Sequence, residues 1–453
     1  MKYFFILGSN PTLSLAELAA VFNHGEFSLM QKNIAILDIN HEIKANIIKK
    51  IGGTIKFGII HNETASLSPQ DILKLIATFS KPEKSESKFN FGISFYGKAK
   101  INIKILGMEF KKMLKQSGIN SRWVISREPT LSSVVVEQNK LVTDKGVEIV
   151  MIEFNKKLFL GKTLAVQPFK ELSFRDYGRP ARDDRSGMLP PKLAQIMINL
   201  AAKSPLSKGV GGILRSNDNI TILDPFCGSG TIITEAALMG YNHIMGTDIS
   251  NRAISDTKKN VDWIIGNWKL EIGNLELFQQ DACSLSQKIK SQSIDAIITE
   301  PYLGPQQSGF DTNKVVEELE QLYSKSLMEF KKILKPAGRI VMIWPVFQKT
   351  PLSLRGSASD RLSFVIPAQA GIQNVIASDR RGAFSPGLDP GSLTKTGMTG
   401  AINPNLSGFK IINPIPVNLQ KNIFIKLTAR ETIVYGREEQ KVWREIVILE
   451  KQN

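Results

Sequence analysis

The plainest chemical capacity lies in the run Ile222-Leu223-Asp224-Pro225-Phe226-Cys227-Gly228-Ser229-Gly230-Thr231, followed by the helix-forming IITEAALMG. An apolar strand that enters a glycine turn and then a helix brings backbone N–H groups and a helix N-terminus close to a ligand. Gly228 and Gly230 suit such a turn, because glycine adopts positive φ readily and carries no Cβ to block an approaching group. No Gly-Lys-Ser/Thr follows, which excludes a phosphate loop, and the third glycine of the dinucleotide pattern G-x-G-x-x-G is absent. Asp248 ends the next apolar run, HIMGTDIS, about 20 residues past the turn, where a carboxylate accepts two hydrogen bonds from ribose hydroxyls. Farther on, Asp281 and Ala282 close the edge FQQDA, and Asp281 is suited to accept from an adenine amino group.

A turn of this kind with acids at two later strand ends fits adenosylmethionine. The stretch DPFCGSGT resembles motif I of class I methyltransferases of the amino-methylating kind. That resemblance implies a turn that cradles the methionine moiety, positioned in part by Asp224. The expected cofactor contacts are Asp224, Phe226, Gly228, Gly230, Thr231, Asp248, Asp281 and Ala282. Asp224 also suits a helix cap beyond a strand, and Gly228 and Gly230 a plain tight turn. Cys227 precedes a helix N-terminus but has no histidine nearby in sequence, so it is read as a packing residue.

A second chemical run, Thr299-Glu300-Pro301-Tyr302-Leu303-Gly304-Pro305, follows the buried strand Ile294 to Ile298. In an open α/β sheet, ligands meet that edge. An exocyclic base amine is a weak nucleophile, since its lone pair is delocalised into the ring, so an acceptor must orient its N–H bonds and draw charge as it attacks. Glu300 and the carbonyl of Pro301 offer two acceptors, and Tyr302 offers a face on which an extruded base could stack. The run resembles motif IV of amino-methyltransferases, Asp/Asn/Ser-Pro-Pro-Tyr/Phe, with departures. Glu300 stands at the acidic position, Tyr302 at the second proline and Leu303 at the aromatic. The bland reading of EPY is a turn after a strand.

Both runs need a sheet to hold them. Strands and helices alternate from Thr221 to Phe347, the pattern of a doubly wound parallel sheet in a Rossmann-like α/β domain. The chain divides on this reading into an α/β region over 1–59, a smaller α+β region over 60–167, a linker over 168–190 and the catalytic domain over 191–453. Residues 352–400, rich in Gly, Ser, Pro and Ala, break the rhythm. They resemble the translated product of a mobile palindromic DNA repeat, seen in VIPAQAGIQ and LDPGSLTKTGMTG, and are expected to be an insertion. A functional lid is the alternative. The runs IFIKL, TIVYG and REIVILEK then supply closing strands.

In the N-terminal half, Tyr3 to Leu7 reads as a buried strand, followed by a helix begun by Ser14 with Glu17 three residues on, a capping-box signature. A helix is expected around Asp71 to Phe79, then the polar loop KPEKSESK and the strand FNFGISFYG. The basic helix from Ile101 to Gln116 offers Ile101, Ile105, Met108, Phe110 and Leu114 for burial. Val147 to Phe154 pairs with Lys157 to Ala165 across an Asn155-Lys156 turn. The order over 60–167 resembles a THUMP domain, an RNA-binding module. The resemblance implies tRNA contacts by Lys98, Lys100, Lys104, Lys111, Lys112, Lys115, Arg122 and Arg127, which also suit a solvated face.

Composition agrees with that partner. The net charge is +16 and the pI near 9.6, and each phosphate neutralised by Lys or Arg releases condensed counterions. A solubility charge is the alternative. Two cysteines and four scattered histidines argue against zinc or iron–sulfur chemistry, so no metal is expected. No apolar run reaches the length of about 20 residues that crosses a bilayer, and a cytoplasmic protein without a membrane partner follows. Oligomeric state and any activating subunit stay open.

The segment RPARDDRSGMLPP resembles the stretch before motif I in THUMP-containing tRNA guanine-N2 methyltransferases of the guanosine-ten type. That resemblance makes Arg179, Arg182 and Arg185 phosphate-contact candidates, with salt bridges to Asp183 and Asp184 as the alternative. It implies methylation of guanine N2 in tRNA from S-adenosyl-L-methionine. Two other readings stay open: a DNA adenine-N6 or cytosine-N4 methyltransferase, and a catalytically inactive RNA-binding protein of the same build.

Overall fold

The computed structural model describes residues 1–80, 88–182, 188–202, 220–305, 311–348, 398–436 and 442–452. The N-terminal part contains β1 (Lys2–Leu7), α1 (Pro11–Val21), β2 (Glu26–Gln31), β3 (Ile34–Asp38), β4 (Thr54–Thr64), α2 (Pro69–Phe79) and β5 (Phe89–Tyr96). It continues with α3 (Ile103–Gln116), β6 (Ser121–Val124), α4 (Ser133–Gln138), β7 (Gly146–Phe154) and β8 (Lys157–Val166). Its strands form one sheet in the order β2-β3-β1-β4-β8-β7-β5-β6. The hairpin of β7 and β8 turns at Asn155 and Lys156, both at positive φ, as expected from the sequence.

Four sequence expectations change here. A boundary after residue 59 would cut β4, which pairs with β1 on one side and with β8 on the other, so the first 167 residues share a sheet. Helix α1 starts at Pro11 with Asn10 capping the Leu13 N–H, three residues before the expected start, because Asn-Pro already supplies a cap and a first helical residue. In α3 the buried line is Leu106, Phe110 and Leu114, an i, i+4 ridge, while Ile105 and Met108 face solvent. The run IFIKL is irregular, since a short apolar stretch does not by itself specify a strand. The expected loop at 81–88 and the insertion at 352–400 lie almost wholly outside the described residues.

The second part contains α5 (Phe169–Tyr177), α6 (Pro191–Ala202), β9 (Thr221–Asp224), α7 (Thr231–Leu238), β10 (His243–Asp248), α8 (Asn251–Trp268) and β11 (Asn274–Gln279). After these come β12 (Ile294–Thr299), α9 (Thr312–Ile333), β13 (Leu334–Gln348), β14 (Met398–Ala401), β15 (Phe409–Ile411), β16 (Ile433–Tyr435) and β17 (Val442–Lys451). The sheet runs β11-β10-β9-β12-β13-β17-β15, with β14 on β13 and β16 on β17. β9 to β13 are parallel and β17 returns antiparallel. Successive strand residues feed opposite cores: Ile222 and Ile298 pack on the side of α6, α7 and α8, Leu223 and Ile297 on the side of α9. Burial on both faces explains why these strands read as continuous apolar runs. No helix among the described residues is long and apolar enough to cross a membrane.

The two parts meet where α1 packs on α6. Glu17 of α1 is fully buried there and accepts from the N–H groups of Gly52 and Gly53 and from the Asn199 amide, each at 2.8 Å. Burial without a cation pushes its carboxyl up to about 7. Its favourable contribution is therefore complete below the ordinary carboxyl value of 4.5 and is lost as pH rises through about 7. The melting temperature of the native chain minus that of Glu17→Gln should fall across that window; a difference that ignores pH would contradict the buried, proton-binding carboxyl.

Candidate active site

In the catalytic sheet, chain order reverses at β9: β10 and β11 lie on one side, β12 and β13 on the other. Connections leaving such a point diverge and open a crevice at the carboxyl ends of the strands. Asp224 ends β9, Asp248 ends β10 and Thr299 ends β12, so the topology brings both chemical runs to one edge.

The glycine turn has the backbone its sequence calls for, with φ of 53° at Gly228 and 82° at Gly230. Their roles divide. A Cβ on Gly228 would meet nothing within 4 Å, whereas one on Gly230 would stand 2.7 Å from a Thr257 methyl. Gly228 thus leaves the open approach, and Gly230 permits close packing on α8, a correction to the shared role expected of them. From α8, the Thr257 hydroxyl donates to the Gly228 carbonyl at 2.8 Å, and the Asn260 amide donates to the Ser229 carbonyl at 2.7 Å. Asn260 also exchanges hydrogen bonds with the backbone of Ala181 at 2.9 and 3.0 Å, fastening the segment before α6 to the same turn. Cys227 is buried, and burial pushes its thiol up, consistent with packing.

Asp224 is 2% exposed and accepts from the Thr299 hydroxyl at 2.8 Å and the Phe226 N–H at 3.2 Å. No lysine or arginine pairs with it among the described residues. Burial, with added repulsion from Asp248 and Glu300, holds its carboxyl up to about 8. Asp248 accepts from the Gly228 N–H at 3.0 Å and the Ser250 N–H at 2.9 Å. Asp281 caps the short turn that begins at the buried Ala282, through the Cys283 N–H at 2.8 Å. Phe226 packs on the α9 side of the sheet. Thr231 differs from expectation: its hydroxyl is taken by an Arg179 guanidinium N–H at 2.6 Å. These residues fit adenosylmethionine, whose ammonium and sulfonium would supply the positive charge that Asp224 lacks, beside the opening over Gly228.

On the acceptor side, Glu300 is 13% exposed and its Oε1 accepts from Arg444 Nε of β17 at 2.5 Å. Burial raises its carboxyl and the guanidinium opposes the rise. Pro301 is buried, Tyr302 is 58% exposed, and the Tyr302 carbonyl accepts from the buried Tyr323 hydroxyl of α9 at 2.7 Å. Gly304 turns the chain at a φ of 95°. A carboxylate fixed at the strand end, with an exposed aromatic two residues on, can orient an amine and support a base.

The eight basic residues from Lys98 to Arg127 are all exposed. Arg179 is not: it is 6% exposed, bonded to Thr231 and to the Arg175 carbonyl, and serves packing instead of phosphate contact. Arg182 is half-buried, donates to the Asp176 carbonyl at 2.7 Å and lies over the Tyr177 ring, and Arg185 lies outside the described residues. Sequence reading missed Thr257, Asn260, Tyr323 and Arg444. Thr257 and Asn260 leave a trace, two small polar residues on the apolar stripe of α8 with Val261 and Ile264. Removing the Asn260 bonds, at about 1 kcal/mol each, should speed amide exchange at Ser229 and Gly230 by roughly tenfold or more in Asn260→Ala. Unchanged exchange would mean that the turn holds itself.

A family model described as RMKL-like, methyltransferase domain, matches residues 179–361, and a DNA methylase model matches residues 19–259, more than half of the chain. A tRNA (guanine(10)-N2)-dimethyltransferase of Methanothermobacter thermautotrophicus is 28% identical over 52% of this chain, which spans 61% of that relative's length. The enzyme of the same name from Pyrococcus abyssi is 21% identical over 76% of this chain and 88% of its own. The crystal structure of TrmN from Thermus thermophilus superposes with a TM-score of 0.47 at 16% identity, covering 100% of both chains. With the glycine turn, the switch-point acids and the two family models together, the chain belongs to the methyltransferases, and S-adenosylmethionine is its cofactor.

Proposed function

We propose that this methyltransferase acts on the exocyclic N2 of guanine in tRNA. The observation that carries the reading is the meeting of Asp224 and Glu300 at the ends of neighbouring strands, linked through the Thr299 hydroxyl. One carboxylate serves the donor side and the other the acceptor side. When bound, adenosylmethionine supplies an electrophilic methyl on a sulfonium.

In this reading Asp224 answers the donor's positive charge, and Asp248 adds ribose hydroxyls to the backbone N–H groups it already holds. Glu300 accepts from the guanine amine, aligns its lone pair and would take up the proton released as the N–C bond forms and the methyl–sulfur bond breaks, its electron pair staying on sulfur as a neutral thioether. The Pro301 carbonyl is the second acceptor, and Tyr302 gives the extruded base a stacking face. The exposed lysines of α3, with Arg122 and Arg127, approach the phosphate backbone; Arg182 is a further candidate. The substrate named for the Methanothermobacter and Pyrococcus relatives supports the choice of tRNA. The DNA methylase match keeps a duplex-DNA arm in the test.

Purified protein with labelled adenosylmethionine should methylate unmodified tRNA at guanine N2, read by nucleoside mass spectrometry, and leave duplex DNA unlabelled. Label in DNA alone, or in neither, would sink the reading. The two acids should also separate. Asp248→Ala loses charge-assisted hydrogen bonds worth about 1.5–3 kcal/mol, and so about tenfold to a hundredfold in cofactor affinity. Glu300→Gln should keep that affinity and lose about a hundredfold or more in kcat.

A further inference from the structure

The acidic residue at the end of β12 is a glutamate, one methylene longer than the aspartate that motif IV would bring. The sheet supplies the reason. Arg444 sits on β17, which pairs with β13, and β13 in turn pairs with β12, so the two charged residues come from strands separated by a third. Neighbouring strands lie about 4.8 Å apart, so the backbones to be bridged are roughly 10 Å apart. Two long side chains reaching over the intervening strand can close that gap. An aspartate would fall short by about 1.5 Å, one carbon–carbon bond.

The arginine is held firmly. On β17 it stands between Trp443 and Glu445, both buried. Glu445 is itself gripped by two Arg430 N–H groups at 2.8 Å each and by the Thr432 hydroxyl. Opposite Arg444 on one side is Pro345 of β13, and on the other Tyr435 of β16. The guanidinium and the carboxylate are 12% and 13% exposed. Among the described residues, the other titratable groups about Glu300 offer no compensation: the Tyr323 hydroxyl of α9 donates to the Tyr302 carbonyl, and Asp224 of β9 is an acid.

We infer that Arg444 is a positioning residue for methyl transfer: by holding Oε1 of Glu300 it leaves Oε2 as the oxygen that faces the amine and keeps the carboxylate ionised. The inference rests on Glu300 being the amine's acceptor. In this role Arg444 acts through the carboxylate it holds and needs no contact of its own with base or cofactor. A neutral residue in its place leaves a buried acid stripped of the guanidinium that opposes the rise from burial. Such an acid takes up a proton and ceases to accept one.

The test is the pH dependence of kcat on tRNA for the full chain and for Arg444→Ala, Arg444→Lys and Glu300→Gln, with cofactor affinity measured alongside. In Arg444→Ala the acid limb should move up by about one to three pH units, the effect of removing an adjacent opposite charge. Raising the pH should restore much of the lost turnover, with cofactor affinity unchanged. Arg444→Lys, which keeps the charge, should move the limb less. Infrared difference spectra should show a protonated carboxyl at neutral pH in Arg444→Ala that is absent from the double variant with Glu300→Gln. If Arg444→Ala does not fold, Arg444→Gln, which keeps much of the bulk and drops the charge, carries the test, and a limb unmoved from that of the native chain overturns the inference. An Arg444→Ala profile that coincides with the native one overturns it as well. Full turnover by Glu300→Gln would instead remove the acceptor reading itself, whereas a dead Glu300→Gln beside an unshifted Arg444→Ala sinks the arginine's role alone.

Discussion

Two carboxylates leave water at the carboxyl edge of the catalytic sheet, and they are treated differently. Glu300 meets a guanidinium within the chain, whereas Asp224 meets hydroxyl and backbone donors but no described cation. A buried acid without a cation is strained toward its protonated form, and a cationic ligand relieves that strain when it arrives. The free chain is thereby polarised toward one kind of occupant, and Thr299, the residue just before the acceptor glutamate, links Asp224 to that side of the crevice.

Support for this edge comes from behind. α8 holds the glycine turn by two side chains, and one of them also ties down the backbone at Ala181. Arg175 of α5 reaches Glu235 of α7 through two N–H groups, at 2.7 and 3.1 Å, and Gln195 of α6 completes the same carboxylate at 2.9 Å. The stretch expected to be a linker is thus built into the catalytic unit by buried polar bonds. Ion pairs of this kind cost desolvation and return geometry, since each partner is committed to one arrangement. The N-terminal sheet uses the same device at Lys56 and Glu148, which pair at 2.6 Å and take in Ser94, Thr163 and the Leu131 carbonyl.

Much of this was legible in the chain itself, for local reasons. The turn at Gly228, the acids at the ends of β9 and β10 and the glutamate after β12 each follow an apolar run, so strand ends announced them. The β7–β8 hairpin carried its own turn residues. What was hidden depended on distance in sequence. Arg444 lies far along the chain from Glu300, and nothing in REIVILEK distinguishes it from any basic residue on a strand. Arg179 looked like a surface charge because its neighbours are charged, yet its partners are Thr231 and a helix carbonyl. The supposed boundary near residue 59 failed because strand pairing on both sides of β4 is non-local, and Glu17 mimicked a capping residue while its partners were Gly52, Gly53 and Asn199.

The pairing of β13 with β14 has an evolutionary corollary. Gln348 lies opposite Met398, so two positions far apart in sequence are ladder partners. Where two ends are already held together by a ladder, the entropy of the intervening loop grows only logarithmically, about 0.6 kcal/mol for each doubling of length. Foreign sequence landing between those two strands would be tolerated at little thermodynamic penalty, and so the gene could acquire or shed such a segment while the crevice on the other side of β12 kept its shape.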